Sequence, residues 1–267
     1  MAFTLYNAPQ STCSQRVRFV LNAKGLAFAE KKLDLLAGDQ LEPAYLKLNP
    51  NGVVPTLDHD GNIVIDSSVI IEYLDEIAPE PASFTPRAHS ASQDARERAC
   101  VARAKMRSLM RFIDEMPAAA VRVPTFNLAF LPRFAAMSEQ EFTAFAESKP
   151  LRKEFMLAMG RKGFPEQEMN AALDRMKRTY ERMDQAISDS GGPWLLGKHI
   201  TLADVAVMPA LVRMADLGLD HMWKDMPRIV RWYEEIRAHA AFKPTYYFGS
   251  LLTERFPHLK ERAAKQA

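Results

Sequence analysis

The segment Ser11-Thr12-Cys13-Ser14 stands between two apolar patterns of different period, and that change limits what the chain can build. Phe3-Thr4-Leu5-Tyr6 reads as a strand, whereas Val17, Phe19, Val20 and Leu21 fit the buried face of a helix. A strand that turns directly into a helix presents the helix's first amides at the sheet edge. Those amides have no internal partner and carry partial positive charge, so a thiolate or another anion held there is stabilised. A cysteine at such a place has a raised thiolate fraction. The nucleophile at this turn is then either the chain's own sulfur or a bound one.

The next residues fix the rest of the sheet. Gly25 suits the left-handed conformation that closes a helix. Ala27 to Leu35 reads as a second strand, with Phe28, Leu33 and Leu35 apolar, and strand–helix–strand over so short a span implies parallel pairing. A polar segment through Gln40 and Tyr45 leads to the turn Asn49-Pro50-Asn51-Gly52. Val53-Val54-Pro55-Thr56-Leu57 and Ile63-Val64-Ile65 then flank Asp60-Gly61, a hairpin signal that predicts an antiparallel pair. Asp66-Ser67-Ser68 caps a helix carrying Val69, Ile70, Tyr73, Leu74 and Ile77. The expected order is βαβ followed by ββα.

With 267 residues the chain exceeds the length of one ordinary domain. Pro79, Pro81 and Pro86 mark a change of composition, so the expected division is an α/β domain over 1–78, a linker over 79–92 and an all-helical domain over 93–267. Helices are predicted from Ala95 to Met116, after the capping box Ser138-Glu139-Gln140-Glu141, and through Leu173, Met176, Tyr180, Met183 and Ile187. Thr201-Leu202-Ala203-Asp204 caps another, and Ile229, Trp232, Tyr233 and Ile236 mark the last. Pro117 to Ala136, apolar and without a clean period, reads as irregular structure. Arg16 and Arg18 read as a solvated helix face.

A net charge of +2 spread along the chain gives no reason to expect nucleic acid or an acidic membrane as partner. Residues 1–10 lack the charged and apolar regions of a secretory signal, and no run reaches the ~18 apolar residues of a membrane span. The two cysteines, Cys13 and Cys100, fall in separate expected domains, which argues against a disulfide and for a reducing, cytoplasmic location. The six histidines lack metal-ligand spacing, and no glycine-rich phosphate loop is present, so no metal is expected.

Two further constellations are candidates for binding. Pro55 opens a strand and cannot donate to the ladder. If the Val54-Pro55 bond is cis, the Val54 amide and carbonyl turn outward to pair with an extended peptide; the alternative is a trans proline merely opening the hairpin. Asp66 and Ser67 could take the ammonium and carboxylate of an amino acid, or simply cap the helix. Ligands of such sheets gather outside the carboxyl ends of parallel strands. There the turns at Ser11, Val54 and Ser67 could grip one short peptide, sulfur end at Ser11 to Ser14.

In this order the set resembles the cytosolic glutathione S-transferases. Ser11-Thr12-Cys13-Ser14-Gln15-Arg16-Val17-Arg18 is similar to the active-site loop of the zeta-type members, Val54-Pro55 to their cis-proline turn, Asp66-Ser67 to their acidic-serine pair, and Thr201 to Asp204 to the capping box of their helical domain. The resemblance implies a thioredoxin-like first domain, a helical-bundle second domain, glutathione as cosubstrate and a homodimer. It makes Ser11 the hydroxyl that donates to the glutathione sulfur, lowering a thiol pKa of ~8.5 towards neutrality. Cys13 matches the zeta-type cysteine, which in related dehalogenases forms a mixed disulfide, and Ser14 is a rival for the sulfur contact. Thr12, Gln40, Val54 and Pro55 would hold the peptide, and Asp66 and Ser67 its γ-glutamyl end. Cys13-Ser14-Gln15-Arg16 lacks the second cysteine of a Cys-x-x-Cys pair, which excludes a dithiol oxidoreductase. Cys13 also shares a face with Val17, Val20 and Leu21, so an inert packed thiol stays open.

The stretch from Met137 to Phe142 and Gly163-Phe164-Pro165 looks like an insertion of the bacterial β-etherases, which cleave lignin-derived aryl ethers with glutathione. Arg122, Phe126, Phe130 and Phe134 are candidates for an aromatic substrate pocket, or for plain core. The expected function is a glutathione transferase acting on a small hydrophobic, aromatic electrophile, with aryl-ether cleavage the sharper form. Glutathione-dependent dehalogenation and zeta-type isomerisation are the rivals within the family. A non-catalytic binding protein that keeps the fold is the alternative of another class.

Overall fold

The structure, a computed structural model, describes residues 2–81 and 83–260; Met1, Ala82 and 261–267, which fall in the spans assigned above to the two domains and the linker, lie outside the described residues. The first part runs β1 (Phe3–Asn7), α1 (Thr12–Ala23), β2 (Phe28–Lys32), α2 (Pro43–Leu46), β3 (Thr56–His59), β4 (Asn62–Ile65) and α3 (Ser67–Ile77). The sheet order is β2-β1-β3-β4, with β1 and β2 parallel and the other pairs antiparallel. Asp60 and Gly61 both have positive φ, 50° and 87°, as the tight hairpin requires. Phe3 and Leu5 on β1 are buried beneath Val17, Val20 and Leu21 of α1 and Ile70, Ile71 and Leu74 of α3. This is the βαβ-ββα order that the pattern predicts and the thioredoxin-like domain that the resemblance implies.

Residues 83–92 carry no helix or strand. Beyond them come α4 (Gln93–Glu115), α5 (Pro117–Ala120), α6 (Arg122–Thr125), a π turn (Phe126–Phe130), α7 (Leu131–Ala135), α8 (Glu139–Glu147), α9 (Lys153–Met159), α10 (Glu166–Ser190), α11 (Leu202–Asp216), α12 (Pro227–Ala238) and α13 (Phe242–Thr245). Both capping boxes form, at Ser138 with Glu141 and at Thr201 with Asp204. Every residue of α11 from Leu202 to Met214 is buried, and α11 packs against both α1 and α4. Asp204 at its start accepts from the Leu195 and Thr201 amides, the Thr201 hydroxyl and Trp232 Nε1 at 2.8–3.0 Å. Four donors compensate a carboxylate that is fully buried.

Two expectations are corrected. Pro117 to Ala136 is largely helical, because Pro117 and Pro132 sit in the first turns of α5 and α7, where a missing N–H costs nothing. The π turn between them shifts the side-chain period and hides the pattern. Arg16 and Arg18 are 4% and 0% exposed, since α3, α11 and α13 enclose α1 and leave it no solvated face. Arg18 donates to Asn7 Oδ1 at 2.6 Å, the Pro9 carbonyl at 2.8 Å and the Thr245 carbonyl at 3.1 Å. It thereby fixes the β1–α1 turn to α13.

Candidate active site

A cavity of about 240 Å³ opens between the turns of the first domain and the helices from α5 to α9. One end is formed by Gln10, Ser11, Thr12, Cys13, Gln40, Val53 and Val54, and the other by Phe126, Phe130, Phe134, Phe145 and Phe155. Ser11 is the N-cap of α1, and its Oγ accepts from the Ser14 amide at 3.3 Å. That bond uses a lone pair of the oxygen and leaves the hydroxyl hydrogen to donate. Cys13, a free thiol at the second residue of α1, is partly exposed.

Ser14 is fully buried; its Oγ accepts from the Ala8 amide at 3.4 Å, and it is absent from the cavity wall. The Val54-Pro55 peptide is cis, with Val54 on the wall and Pro55 buried behind it. Gln40, 5% exposed, donates to the Leu35 carbonyl at 3.4 Å while its Oε1 has no partner among the described residues. Gln10 Oε1 is likewise unpaired and buried. Such amide oxygens, on the wall of a cavity, are acceptors that a bound peptide can satisfy.

Asp66 and Ser67 do not line this cavity. Asp66 caps α3, accepting from the Ser68 and Val69 amides at 2.9 and 3.2 Å. Ser67 is 6% exposed and accepts from Arg16 Nη1 at 3.3 Å. The same nitrogen donates to Ser68 Oγ at 3.2 Å and Asp114 Oδ1 at 2.6 Å, while Arg16 Nε donates to the Ala206 carbonyl at 2.8 Å. The starts of α1 and α3 are therefore joined through the buried guanidinium of Arg16.

Four cations reach the cavity wall: Arg122, Lys149, Arg152 and Arg213. Burial pushes the Arg122 guanidinium down to about 10, and the Arg152 charge adds to that, whereas a charge on Cys13 would act the other way. Arg152 is lowered by burial and opposed by the same sulfur. Both guanidinium groups thus lie where an anion near Cys13 would be favoured. Burial, then the Arg133 charge, brings Lys149 down to about 8. Arg213 donates to the Gln10 carbonyl and holds the loop ahead of Ser11. Among the described residues no aspartate or glutamate lines the cavity, and no group of three His, Cys, Asp or Glu side chains is placed to hold a metal.

The aromatic wall is a connected set. Phe126 stacks parallel to Phe134 with centroids 6.1 Å apart and meets Phe130 and Phe155 edge-on at 5.1 Å. Asn127 holds the far end by exchanging hydrogen bonds with the Phe164 backbone, both 2.8 Å. The segment carrying α7 to α9 also covers the first domain. Arg133 Nη2 donates to the Leu36 carbonyl at 2.8 Å, and a Cβ on Gly52 would stand 3.1 Å from Pro150 Cδ. The sequence reading singled out Arg122, Phe126 and Phe130 but missed Gln10, Lys149, Arg152 and Arg213.

Sequence comparison matches the family "Glutathione S-transferase, N-terminal domain" over residues 5–82 and its C-terminal domain over residues 166–235. The chain is 31% identical over 250 residues to maleylacetoacetate isomerase maiA of Aspergillus fumigatus, covering 91% of this chain and 90% of that protein. It is 25% identical over 252 residues to Protein LigF of Sphingobium sp. strain SYK-6, covering 92% and 93%. The crystal structure of the β-etherase LigF superposes with a TM-score of 0.78 at 24% identity, covering 92% of this chain and 99% of that one.

Proposed function

The chain belongs to the glutathione S-transferase family, and we propose that it uses glutathione to open aromatic ethers, with Ser11 as the group that holds the reacting sulfur. The observation that carries this reading is one cavity with Ser11 and the α1 amides at one end, a phenylalanine wall at the other, and Arg122 and Arg152 beside the sulfur position.

The chemistry follows from that arrangement. The Ser11 hydroxyl donates to the glutathione sulfur, and the unpaired amides of α1 add partial positive charge, so the thiol gives its proton to solvent and stays as thiolate. Two guanidinium groups in a water-poor cavity deepen the well for that anion. Val54 pairs with the peptide backbone, Gln40 and Gln10 supply acceptors, and Thr12 closes the turn around the sulfur. The substrate ring lies on Phe126 and Phe130, its ether carbon facing the thiolate. The sulfur attacks that carbon, a C–S bond forms, the C–O bond breaks, and the electron pair leaves on an aryloxide that the same cations stabilise.

Asp66 and Ser67 hold the γ-glutamyl end from the α3 cap, next to Arg16. Two domains divided over 79–92, a homodimer and a cytoplasmic location belong to the same reading. The exposed Val69 on α3 and Val101 on α4 offer the apolar surface for pairing. A second reading, glutathione-dependent isomerisation, is favoured by Cys13 on the cavity wall and by the 31% identity to a maleylacetoacetate isomerase.

The test is incubation with glutathione and 2-phenoxyacetophenone, followed by mass spectrometry for the thioether and free phenol in equal amounts. Equal release supports ether cleavage. Turnover of maleylacetoacetate with none of the ether favours the second reading, and glutathione binding without turnover of either substrate favours a protein that only binds.

A further inference from the structure

Lys149 has no role in the chemistry above, yet it is the most unusual charge in the cavity. Its side chain is 8% exposed, it lines the cavity, and its Nζ has no hydrogen-bond acceptor or carboxylate partner among the described residues. The ammonium lies 4.0 Å from the centroid of the Phe145 ring, which in turn packs on Phe134 at 5.7 Å. A cation over a ring face gains something, but far less than a buried ammonium loses by giving up water. The other charges along the cavity are the guanidinium groups of Arg122, Arg152 and Arg213, with Arg133 near Lys149, and among the described residues no carboxylate pairs with it. Even pushed down to about 8, the group is largely protonated at neutral pH. The cavity therefore carries positive charge without a carboxylate partner, over an aromatic ring of its wall. The chemical complement of that surface is an aromatic ring bearing an anion.

We propose that the electrophile is an aromatic acid, its ring against Phe126 and Phe130 and its carboxylate paired with Lys149. This rests on the reading of the cavity as the transferase site. The acid group held on Lys149 then leaves the reacting carbon free to face Ser11 and Cys13, which line the same cavity. A carboxylate has one other source here, the glycine of glutathione, because Pro150 next to Lys149 packs on Gly52 beside the Val54 turn. The two sources are separable.

The experiment compares 4-chloro-3,5-dinitrobenzoate with its methyl ester as electrophiles for glutathione, where the thiolate forms the C–S bond and chloride leaves with the C–Cl electron pair. The expected result is a kcat/KM about tenfold or more higher for the acid, expressed mainly in KM, as for a charge-assisted bond. In Lys149→Met, which keeps the packing on Phe145, the acid-to-ester ratio falls to about one, and in Lys149→Arg it is largely restored. Equal use of acid and ester by the unaltered protein overturns the proposal. So does a Lys149→Met variant whose KM for glutathione rises with the neutral ester as cosubstrate, since the carboxylate is then glutathione's own. Calorimetry with 4-phenylbenzoate and its methyl ester needs no turnover. Preference for the acid, lost in Lys149→Met, supports the site even if no conjugation occurs and the transferase reading fails; conjugation without acid preference sinks the site alone.

Discussion

Arg16 Nη1 lies 2.6 Å from Asp114 Oδ1, and this pair ties the start of α1 to α4. Ser68 Oγ donates to the other carboxylate oxygen at 2.6 Å, so one aspartate holds both the α1 guanidinium and the α3 cap. The Arg16 side chain is 5% exposed and that of Asp114 30%. Replacing Arg16 by methionine takes the guanidinium from Ser67 and Ser68 and leaves the Asp114 carboxylate with the Ser68 hydroxyl but no cation. The expected cost is about 2 kcal/mol, below that of a fully buried pair because water reaches Asp114. Urea unfolding of Arg16→Met checks it, and a midpoint equal to that of the unaltered protein would show that the pair contributes nothing.

The second ion pair sets the acid limit. Lys24 Nζ is 2.7 Å from Asp75 Oδ1, both side chains being fully buried. Burial alone would raise the Asp75 carboxyl, but the Lys24 ammonium, the Phe84 amide at 2.9 Å and Thr85 together hold it below the ordinary carboxylate range. The folded chain therefore binds fewer protons than the unfolded chain as pH falls through the ordinary carboxylate range. The contribution is full above that range and is lost as pH drops through the lower, folded value. Asp75→Asn is expected to cost about 3–5 kcal/mol at neutral pH, with the gap to the unaltered protein closing below about pH 4. A gap independent of pH in urea titrations would contradict this.

Asn127 should act on one substrate only. Its paired bonds to Phe164 fasten the end of the aromatic wall, where Phe164 packs on Phe155 with centroids 5.0 Å apart. Asn127→Leu removes two neutral hydrogen bonds, each worth about 1 kcal/mol. The expected outcome is a KM for the aromatic electrophile several times higher with the KM for glutathione unmoved. Steady-state kinetics with each substrate varied in turn distinguishes the two, and a rise confined to glutathione would be inconsistent.

Cys13 sits on the cavity wall, so its part in the reaction is testable by one atom. If the bound thiol is the nucleophile, Cys13→Ser keeps conjugation within about tenfold. Collapse to the background rate would make a mixed disulfide at Cys13 an obligatory step.

What the sequence disclosed was local. The strand period at Phe3 to Tyr6, the Asp60-Gly61 turn, and the caps at Asp66, Ser138 and Thr201 each depend on neighbours a few residues away, and each is where the pattern put it. Arg16 and Arg18 were misread because their partners Asp114, Ala206 and Thr245 lie 98, 190 and 227 residues further on. No local rule tells a buried arginine from a solvated one when the covering helices arrive that late. The helices between Pro117 and Ala136 were hidden by prolines in first turns and a π turn. For Lys149 a signal existed: Phe142, Phe145 and Ala146 form a helical stripe whose next position is 149, so a lysine there continues a face turned inward.

The central claim is that the Ser11 hydroxyl holds the glutathione sulfur as an anion, and the ultraviolet thiolate band of enzyme-bound glutathione, titrated against pH, reads it directly. Ser11→Ala should move that titration back towards the ~8.5 of a free thiol and lower kcat/KM by about a hundredfold, whereas Ser14→Ala should leave the titration in place. A thiolate band that survives in Ser11→Ala and disappears in Ser14→Ala would contradict the account.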